Sequence, residues 1–174
     1  QPGPDIPMPV VDSTVGQIPS LDVLAQASIG QRDVRLTPLQ NAMIAATVAN
    51  GGVRMQPYLV DKLQAADLRT LQTTPPTTAN KPITPEQAAE LTSMMIESER
   101  STAGAGGPVS IASKTGTAEH GNDPRNTPPH TWYIGFAPAQ NPKVAVAVIP
   151  TRPRSPRRGR APPCWSTPTT SSRG

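Results

Sequence analysis

Residues 113–119 read Ser-Lys-Thr-Gly-Thr-Ala-Glu and combine the pattern of a β-strand with side chains that can bind and activate a substrate. Strand alternation puts Lys114 and Gly116 on one face and Thr115 and Thr117 on the other. A glycine inside a strand weakens it and often marks the close approach of a ligand or another backbone. On an edge strand these residues suit an extended anionic substrate, with its carboxylate at the lysine. The alternative is a surface lysine beside an ordinary bulge.

Two further strand patterns follow this stretch. The first, at 131–137, supplies most of the aromatic side chains, and the second, at 143–149, alternates valine with alanine. The Lys-Thr-Gly stretch itself belongs to a strand pattern over 109–119, which precedes both of these. Because consecutive strands joined by loops are usually antiparallel neighbours, the three segments predict one antiparallel sheet.

Two helices are predicted before the strands. Thr37 is a good N-cap for a helix over 37–50, with Pro38 at the first helical position and Gln40 placed to close a capping box. Thr84 opens a second helix with the same arrangement. Between the helices, 53–60 predicts a short strand and 64–83 a polar surface excursion. Helices that cover an antiparallel sheet indicate an α+β fold. The apolar positions of the two helices are Leu39, Ala42, Met43, Ala46 and Ala49, then Ala88, Leu91, Met94 and Met95.

The charge distribution divides the chain. The chain has sixteen Lys and Arg residues and twelve Asp and Glu residues. Six of the arginines and no acidic residue lie in 150–174, so 1–149 is slightly acidic. We therefore expect no nucleic-acid binding by the body, residues 1–149. The Arg- and Pro-rich tail, 150–174, lacks the apolar residues needed to fold and is predicted to be disordered. One hypothesis makes it an out-of-frame reading of a GC-rich gene; the rival is a genuine basic tail that binds anionic lipid or nucleic acid.

The sequence gives little support for a metal site, a cofactor site, a membrane-spanning segment or a signal peptide. His120 and His130 flank a Pro-rich loop beside Asp123, but no third ligand is placed, so no metal site is predicted. No cofactor motif is present either. The single cysteine, Cys164, lies in the tail and indicates no redox compartment. No apolar run approaches the roughly 20 residues of a membrane span, and no signal peptide is recognisable.

Several motifs in register give the chain a family resemblance from about residue 20 to residue 149. It closely resembles the transpeptidase domain of class B penicillin-binding proteins, and most of all the actinobacterial members that act in cell division and cell shape. The matching segments are Ser28-Ile29-Gly30-Gln31, Leu36-Thr37-Pro38-Leu39-Gln40, Val48-Ala49-Asn50-Gly51-Gly52, Lys114-Thr115-Gly116-Thr117-Ala118-Glu119 and Trp132-Tyr133-Ile134-Gly135-Phe136-Ala137-Pro138.

The resemblance implies a cross-linking reaction without cofactors. A serine attacks a stem peptide ending in D-Ala-D-Ala, releases D-alanine and passes the acyl group to a neighbouring stem, and beta-lactams stall the acyl stage. Lys114 would support the active-site network, Thr115 and Thr117 would hold the carboxylate, and Gly116 would leave room for the ligand. The Thr117 N–H would match the oxyanion-hole donor. The family also implies cell-division or elongation proteins as partners and a membrane-anchored parent on the outer face of the plasma membrane.

The chain departs from the family at its nucleophile. No serine is followed by lysine three positions later, and none by asparagine two positions later, so Ser-x-x-Lys and Ser-x-Asn are both missing. In the family both precede the Gly-Gln segment, so we expect them upstream of Gln1 and expect an incomplete domain that does not acylate by itself. Two alternatives stay open: a serine beta-lactamase or beta-lactam sensor domain, and a non-catalytic interaction module.

Overall fold

A computed structural model describes residues 9–102, 105–118 and 129–150 of the 174. The predicted tail, Glu119, His120 and Asp123 lie outside these residues. Three helices and seven strands follow one another along the described chain: α1 Leu21–Ser28, α2 Pro38–Ala49, β1 Arg54–Met55, β2 Lys62–Gln64, β3 Thr70–Thr73, β4 Thr78–Asn80, α3 Pro85–Glu99, β5 Ala112–Ala118, β6 His130–Ala137 and β7 Val144–Val148. No helix in these ranges has the length and apolar character needed to cross a membrane.

The three strands predicted from the end of the body form one sheet, in the order β5-β6-β7, and both pairs are antiparallel as expected. Thr115 lies opposite Tyr133 in the first pair, and Tyr133 lies opposite Val148 in the second. Helix α2 packs against β6 and β7, and α3 packs against β5. The α+β class and the antiparallel sheet with helices over it are therefore confirmed.

The two predicted helices begin at their proline residues, but their N-caps differ. Thr84 and Gln87 form the complete capping box, each side chain bonded to the other's backbone N–H. At α2 the Thr37 Oγ1 accepts from the Gln40 N–H at 3.1 Å, but the Thr37 N–H donates to the Ser13 Oγ at 3.2 Å. The second half of the predicted capping box at α2 is thus replaced by a bond to the preceding segment.

The core lies between α2, α3 and one face of the sheet. Its buried members are Ala45, Val48, Met95, Ala112, Phe136 and Ala139. The small alanine residues of α2 and β7 let helix and strand approach closely. The valines of β7 alternate to the other face, where Val144, Val146 and Val148 stay 54%, 41% and 49% exposed. No described helix packs over these valines closely enough to bury them.

Several local expectations were met only in part or were missed. Residues 53–60 contain the expected strand, but it is the two-residue β1, which pairs with β4. The surface excursion at 64–83 is exposed over most of its length as expected, and it also contains β3 and β4. Helix α1 was not anticipated because its apolar residues, apart from Val23, are largely exposed and lack a core-facing stripe. The apolar stripes of α2 and α3 are only half buried, since Ala46, Leu91 and Met94 are exposed.

Candidate active site

Strand β5 is the edge of its sheet in the described part of the chain, because it pairs with β6 alone. The register places Lys114 opposite Ile134 and Gly116 opposite Trp132, on the face that points away from Thr115 and Thr117. All four of these β5 residues are exposed. A free strand edge offers unpaired backbone groups to an extended peptide, while the side chains on either face decide which peptide fits.

A cavity of about 510 Å³ opens beside this strand. One wall is β5 and β6 from Lys114 to Ala118 together with His130, Trp132 and Ile134, and the opposite wall is the connection between α1 and α2. That connection contributes Ile29, Gly30, Gln31, Val34, Arg35 and Leu36. The cavity therefore combines an apolar floor with the cationic side chains of Lys114 and Arg35, a combination that suits a partly apolar anion.

The opposite wall is held in place by backbone hydrogen bonds. Arg35 and Thr14 exchange two of them, at 2.8 and 2.9 Å, which tie the connection to the preceding segment. At the end of α1 the Gly30 N–H donates to the Ala27 carbonyl at 3.0 Å. Gly30 has a φ of 80°, in the left-handed region that glycine enters without steric cost. The chain therefore leaves α1 and turns directly toward the cavity.

Lys114 makes a local hydrogen bond at the cavity mouth. Its Nζ donates to the carbonyl oxygen of Thr115 at 2.7 Å. Because the ammonium group has three donors and a flexible stem, it retains donors for an incoming acceptor. The arrangement can thus deliver a positive charge beside the strand edge without breaking a packed ion pair.

Behind the strand, Ser113 faces away from the cavity and is fully buried. Its Oγ donates to the Oε2 of Glu99, the last residue of α3, and the Tyr133 Oη donates to the same oxygen at 3.2 Å. Glu99 is only 7% exposed. One carboxylate therefore joins α3, β5 and β6 directly behind the Lys-Thr-Gly segment.

Burial, hydrogen bonding and charge together shift the pKa values of Glu99 and Tyr133. Burial alone raises the pKa of Glu99, but hydrogen bonds from Ser113, Thr102 and Tyr133 outweigh it and hold the pKa below its usual value. Burial raises the pKa of Tyr133, a hydrogen bond with Ser113 opposes this, and the negative charge of Glu99 adds to the rise. The carboxylate is thus ionised and the phenol protonated near neutral pH.

Lys114, Thr115, Gly116 and Thr117 all line this one cavity, although alternation points the first and third to one face of the strand and the other two to the opposite face. His130 lies opposite Ala118 and lines the same cavity, whereas His120 is outside the described residues. Within those residues no group of three His, Cys, Asp or Glu side chains is close enough to hold a metal ion.

Sequence reasoning missed Glu99, the role of Ser113 and the wall contributed by Arg35. The last position of an amphipathic helix is usually solvent-exposed, so nothing in the local pattern marked Glu99 as buried. Trp132, which the sequence marked only as one of the aromatic side chains of its strand, forms part of the cavity wall. The strand alternation did contain one signal, since it puts Ser113 on the face opposite Lys114.

Comparison with known proteins identifies the family to which this chain is similar. The family model "Penicillin binding protein transpeptidase domain" matches residues 11–161. The peptidoglycan D,D-transpeptidase PbpA of Mycolicibacterium smegmatis is 58% identical over 150 residues, which are 85% of this chain and 30% of that protein. The chain thus spans about 30% of the length of the mycobacterial relatives it matches.

Solved structures agree. The crystal structure of PBPA from Mycobacterium tuberculosis superimposes with a TM-score of 0.76 at 57% identity, covering 82% of this chain and 33% of that one. The penicillin G acyl-enzyme complex of the M. tuberculosis protein superimposes with a TM-score of 0.75 at 57% identity, covering 82% and 32%. The resemblance expected from the motifs is confirmed.

Proposed function

The chain belongs to the penicillin-binding protein transpeptidase family, and we propose that it supplies the active-site strand of a peptidoglycan D,D-transpeptidase. The observation that carries the proposal is the exposed edge strand β5, whose Lys-Thr-Gly-Thr segment lines a cavity of about 510 Å³. The nucleophilic serine and its lysine would come from another part of the complete protein, because the sequence of this chain contains no Ser-x-x-Lys.

The reaction proceeds by acyl transfer. The serine hydroxyl attacks the carbonyl of the penultimate D-alanine, and an ester bond forms as the peptide bond to the terminal D-alanine breaks. The serine proton passes through the active-site network to the departing amine. An amine on a neighbouring stem peptide then attacks the ester, which forms the cross-link and returns the proton to the serine.

Each residue of the segment has a role in this scheme. Thr115 and Thr117 hold the terminal carboxylate of the stem peptide by hydroxyl hydrogen bonds, and Lys114 supports the active-site network with its positive charge. The backbone N–H of Thr117 donates to the developing oxyanion, an interaction that contributes a few kcal/mol in acyl-transfer enzymes. Because Gly116 has no side chain, the ligand can approach the strand backbone closely at this position.

Beta-lactams enter the same site as substrate mimics. The M. tuberculosis protein that this chain resembles has been captured as acyl-enzyme complexes with penicillin G and ceftriaxone. A beta-lactam carboxylate would occupy the positions of Thr115 and Thr117. The ring carbonyl would accept from the Thr117 N–H, and ring opening would leave the serine acylated.

The proposal extends to location and boundaries. Peptidoglycan is cross-linked in the cell envelope, so we infer that the complete protein acts at the outer face of the plasma membrane, anchored there and in contact with cell-division or elongation proteins. We further propose that 1–149 is the C-terminal half of the transpeptidase domain and that 150–174 is a disordered addition.

A chimera tests the activity. The matching 150-residue segment of the M. smegmatis transpeptidase is replaced by that of this chain, and the product is incubated with a fluorescent penicillin. We expect covalent, long-lived labelling of the chimera and none of the isolated 174-residue chain. An unlabelled but folded chimera would contradict the proposal. Rapid loss of the label by hydrolysis would instead favour a beta-lactamase.

A serine-to-alanine variant at the nucleophile of the recipient protein serves as the control. It should remain folded and unlabelled, because the chimera takes its only acylated serine from the recipient. Labelling of this control, or of the isolated chain, would show that the penicillin reacts elsewhere.

A further inference from the structure

A single buried carboxylate connects the three elements behind the candidate active site. Glu99 at the end of α3 accepts from the hydroxyls of Ser113 on β5 and Tyr133 on β6. The residue after Ser113 is Lys114, and the cross-strand partner of Tyr133 is Thr115. Both hydrogen-bond donors therefore lie next to residues of the site, one along the strand and one across it.

The sheet is shaped to admit this contact. Gly135 lies opposite Ser113, and a Cβ atom there would lie 3.1 Å from the Ser113 Cβ and 3.4 Å from the Tyr133 Cε1. Because Gly135 has no side chain, the serine and the tyrosine occupy its face and reach Glu99 together. The glycine thus leaves space for the hydroxyl–carboxylate network.

Side-chain direction on β5 depends on this network. Successive residues of a strand point to opposite faces, so a strand whose Ser113 is fixed toward Glu99 must direct Lys114 toward the cavity. The opposite edge of β5 has no strand partner in the described residues, so backbone pairing with β6 is the only sheet interaction that restrains it. The hydrogen bond from Ser113 to Glu99 adds a second restraint on β5, which ties the strand to α3.

The buried carboxylate of Glu99 depends on its hydroxyl partners for compensation. Taking an ionised carboxylate out of water is unfavourable unless charges or hydrogen bonds compensate it. The partners that the structure gives the Glu99 carboxylate are hydroxyl groups and not cations. The neighbouring exposed Glu97, by contrast, pairs with Arg100 at the surface.

We propose that Glu99 is a positioning residue of the active site, which acts through Ser113 to hold β5 in the orientation that presents Lys114 to the cavity. This inference rests on the proposed transpeptidase function. Glu99 does not touch the substrate, and its effect on acylation is transmitted by the strand. Removal of its charge or of its serine partner lets β5 rotate and shift at the edge, which misplaces the Lys-Thr-Gly segment relative to the serine.

The chimera described above provides the test, with Glu99→Gln, Ser113→Ala and the double variant. We expect the acylation rate at saturating fluorescent penicillin to fall about tenfold in each single variant, because small misplacements of catalytic groups carry large rate penalties. The double variant should be no slower than the slower single variant, since both break one connection. Rates that fall independently and multiply would overturn the proposal.

Two controls separate positioning from loss of fold. Glu97→Gln makes the same change at an exposed position of α3, and Ile96→Val weakens the core beside it. Both should acylate at the unmodified rate wherever circular dichroism shows them folded. If Ile96→Val slows acylation as much as Glu99→Gln, the effect is one of stability and the positioning role is wrong.

Failure of the proposed function has a different signature. An unmodified chimera that is folded and is not acylated removes the transpeptidase proposal and the positioning role with it. If the unmodified chimera and its Glu99→Gln variant are acylated equally fast, the transpeptidase proposal remains intact and the positioning role alone is overturned.

Amide hydrogen exchange in the 174-residue chain gives a second readout that needs no nucleophile. Glu99→Gln should speed exchange at Lys114 and Thr115 while α2 amides keep their protection. Unchanged exchange in β5, or an absence of protection there in the unmodified chain, would overturn the proposal, because the network would then not restrain the strand.

Discussion

Gly116 faces Trp132 across the β5–β6 pair, and a Cβ atom at Gly116 would lie 3.7 Å from the Trp132 Cβ, an ordinary van der Waals contact. Gly116 also lacks the positive φ that favours glycine, so neither the backbone nor the described packing requires it. We predict that Gly116→Ala raises the free energy of unfolding by about 0.5 kcal/mol, because alanine loses less chain entropy on folding. Urea denaturation of the 174-residue chain measures this change.

In the chimera the same substitution should reduce labelling by fluorescent penicillin, because the added methyl group occupies space that we assign to the ligand. Gly135→Ala is the matched control on the paired strand. Its Cβ would lie 3.0 Å from the Ala112 carbonyl oxygen, so we expect a loss of about 1–3 kcal/mol from overpacking. Equal losses of stability in the two variants would contradict the assignment of Gly116 to ligand clearance.

Glu99 gives the chain a predictable response to acid. Burial opposes ionisation, but the hydrogen bonds from Ser113, Thr102 and Tyr133 prevail and set the folded-state pKa below the ordinary value of 4.5. A group with a lowered folded-state pKa contributes stability that is present above the unfolded pKa and is lost as pH falls through the folded pKa. We therefore predict that the advantage of the unmodified chain over Glu99→Gln shrinks below about pH 4.5.

Urea denaturation of both chains from neutral pH down to about pH 3, below the ordinary carboxyl pKa, measures that difference. Glu97→Gln, at an exposed position two residues earlier, controls for the general effect of removing one negative charge. A difference between the unmodified chain and Glu99→Gln that stays constant over this whole pH range would contradict the lowered pKa.

The sheet was predictable from the sequence because its signals are local. The alternation in 144–148, the aromatic run in β6 and the Lys-Thr-Gly segment each identify a strand, and consecutive strands joined by loops are usually antiparallel neighbours. The faces of Lys114 and Thr115 follow from alternation alone. The helix starts at Thr37 and Thr84 are equally local, since each depends on a cap and a proline within a few residues.

The parts that were missed depend on contacts distant in sequence. Glu99 is buried because α3 ends against Ser113, fourteen residues away, and no local pattern records that meeting. The capping box at Thr37 lost its second half to Ser13, twenty-four residues earlier. Arg35 became part of the cavity wall because its backbone pairs with Thr14. In each case a partner that periodicity does not reveal decided the outcome.

Gly52 is predicted to be indispensable for the turn after α2. Its φ is 86°, and a Cβ atom there would overlap the carbonyl oxygen of Ile83. We expect Gly52→Ala to lower the free energy of unfolding by roughly 2 kcal/mol or more, through backbone strain and the overlap together. Gly51→Ala is the control, because Gly51 has a φ of 60° with no atom within 4 Å. We expect Gly51→Ala to lower the free energy of unfolding by about 1 kcal/mol, from strain alone.

Urea denaturation of the two variants gives the comparison. If Gly51→Ala and Gly52→Ala cost the same, the overlap with Ile83 contributes nothing and the close approach of that loop to α2 is wrong.

The same change, threonine to alanine, is expected to have opposite effects on stability at the N-cap and in the middle of α3. Thr84→Ala removes the side chain that accepts from the Gln87 N–H at 3.3 Å, and we expect the free energy of unfolding to fall by about 1 kcal/mol because that donor is left without its cap.

Thr92→Ala, in the middle of α3, removes a hydroxyl that donates to the Ala88 carbonyl at 2.8 Å. Because such back-bonding slightly weakens a helix and alanine is the better helix former, the second variant should be neutral or slightly stabilised. Thermal denaturation followed by far-ultraviolet circular dichroism distinguishes the two. Losses of equal size would mean that Thr92 contributes packing, and not only a back-bond, between α3 and the core.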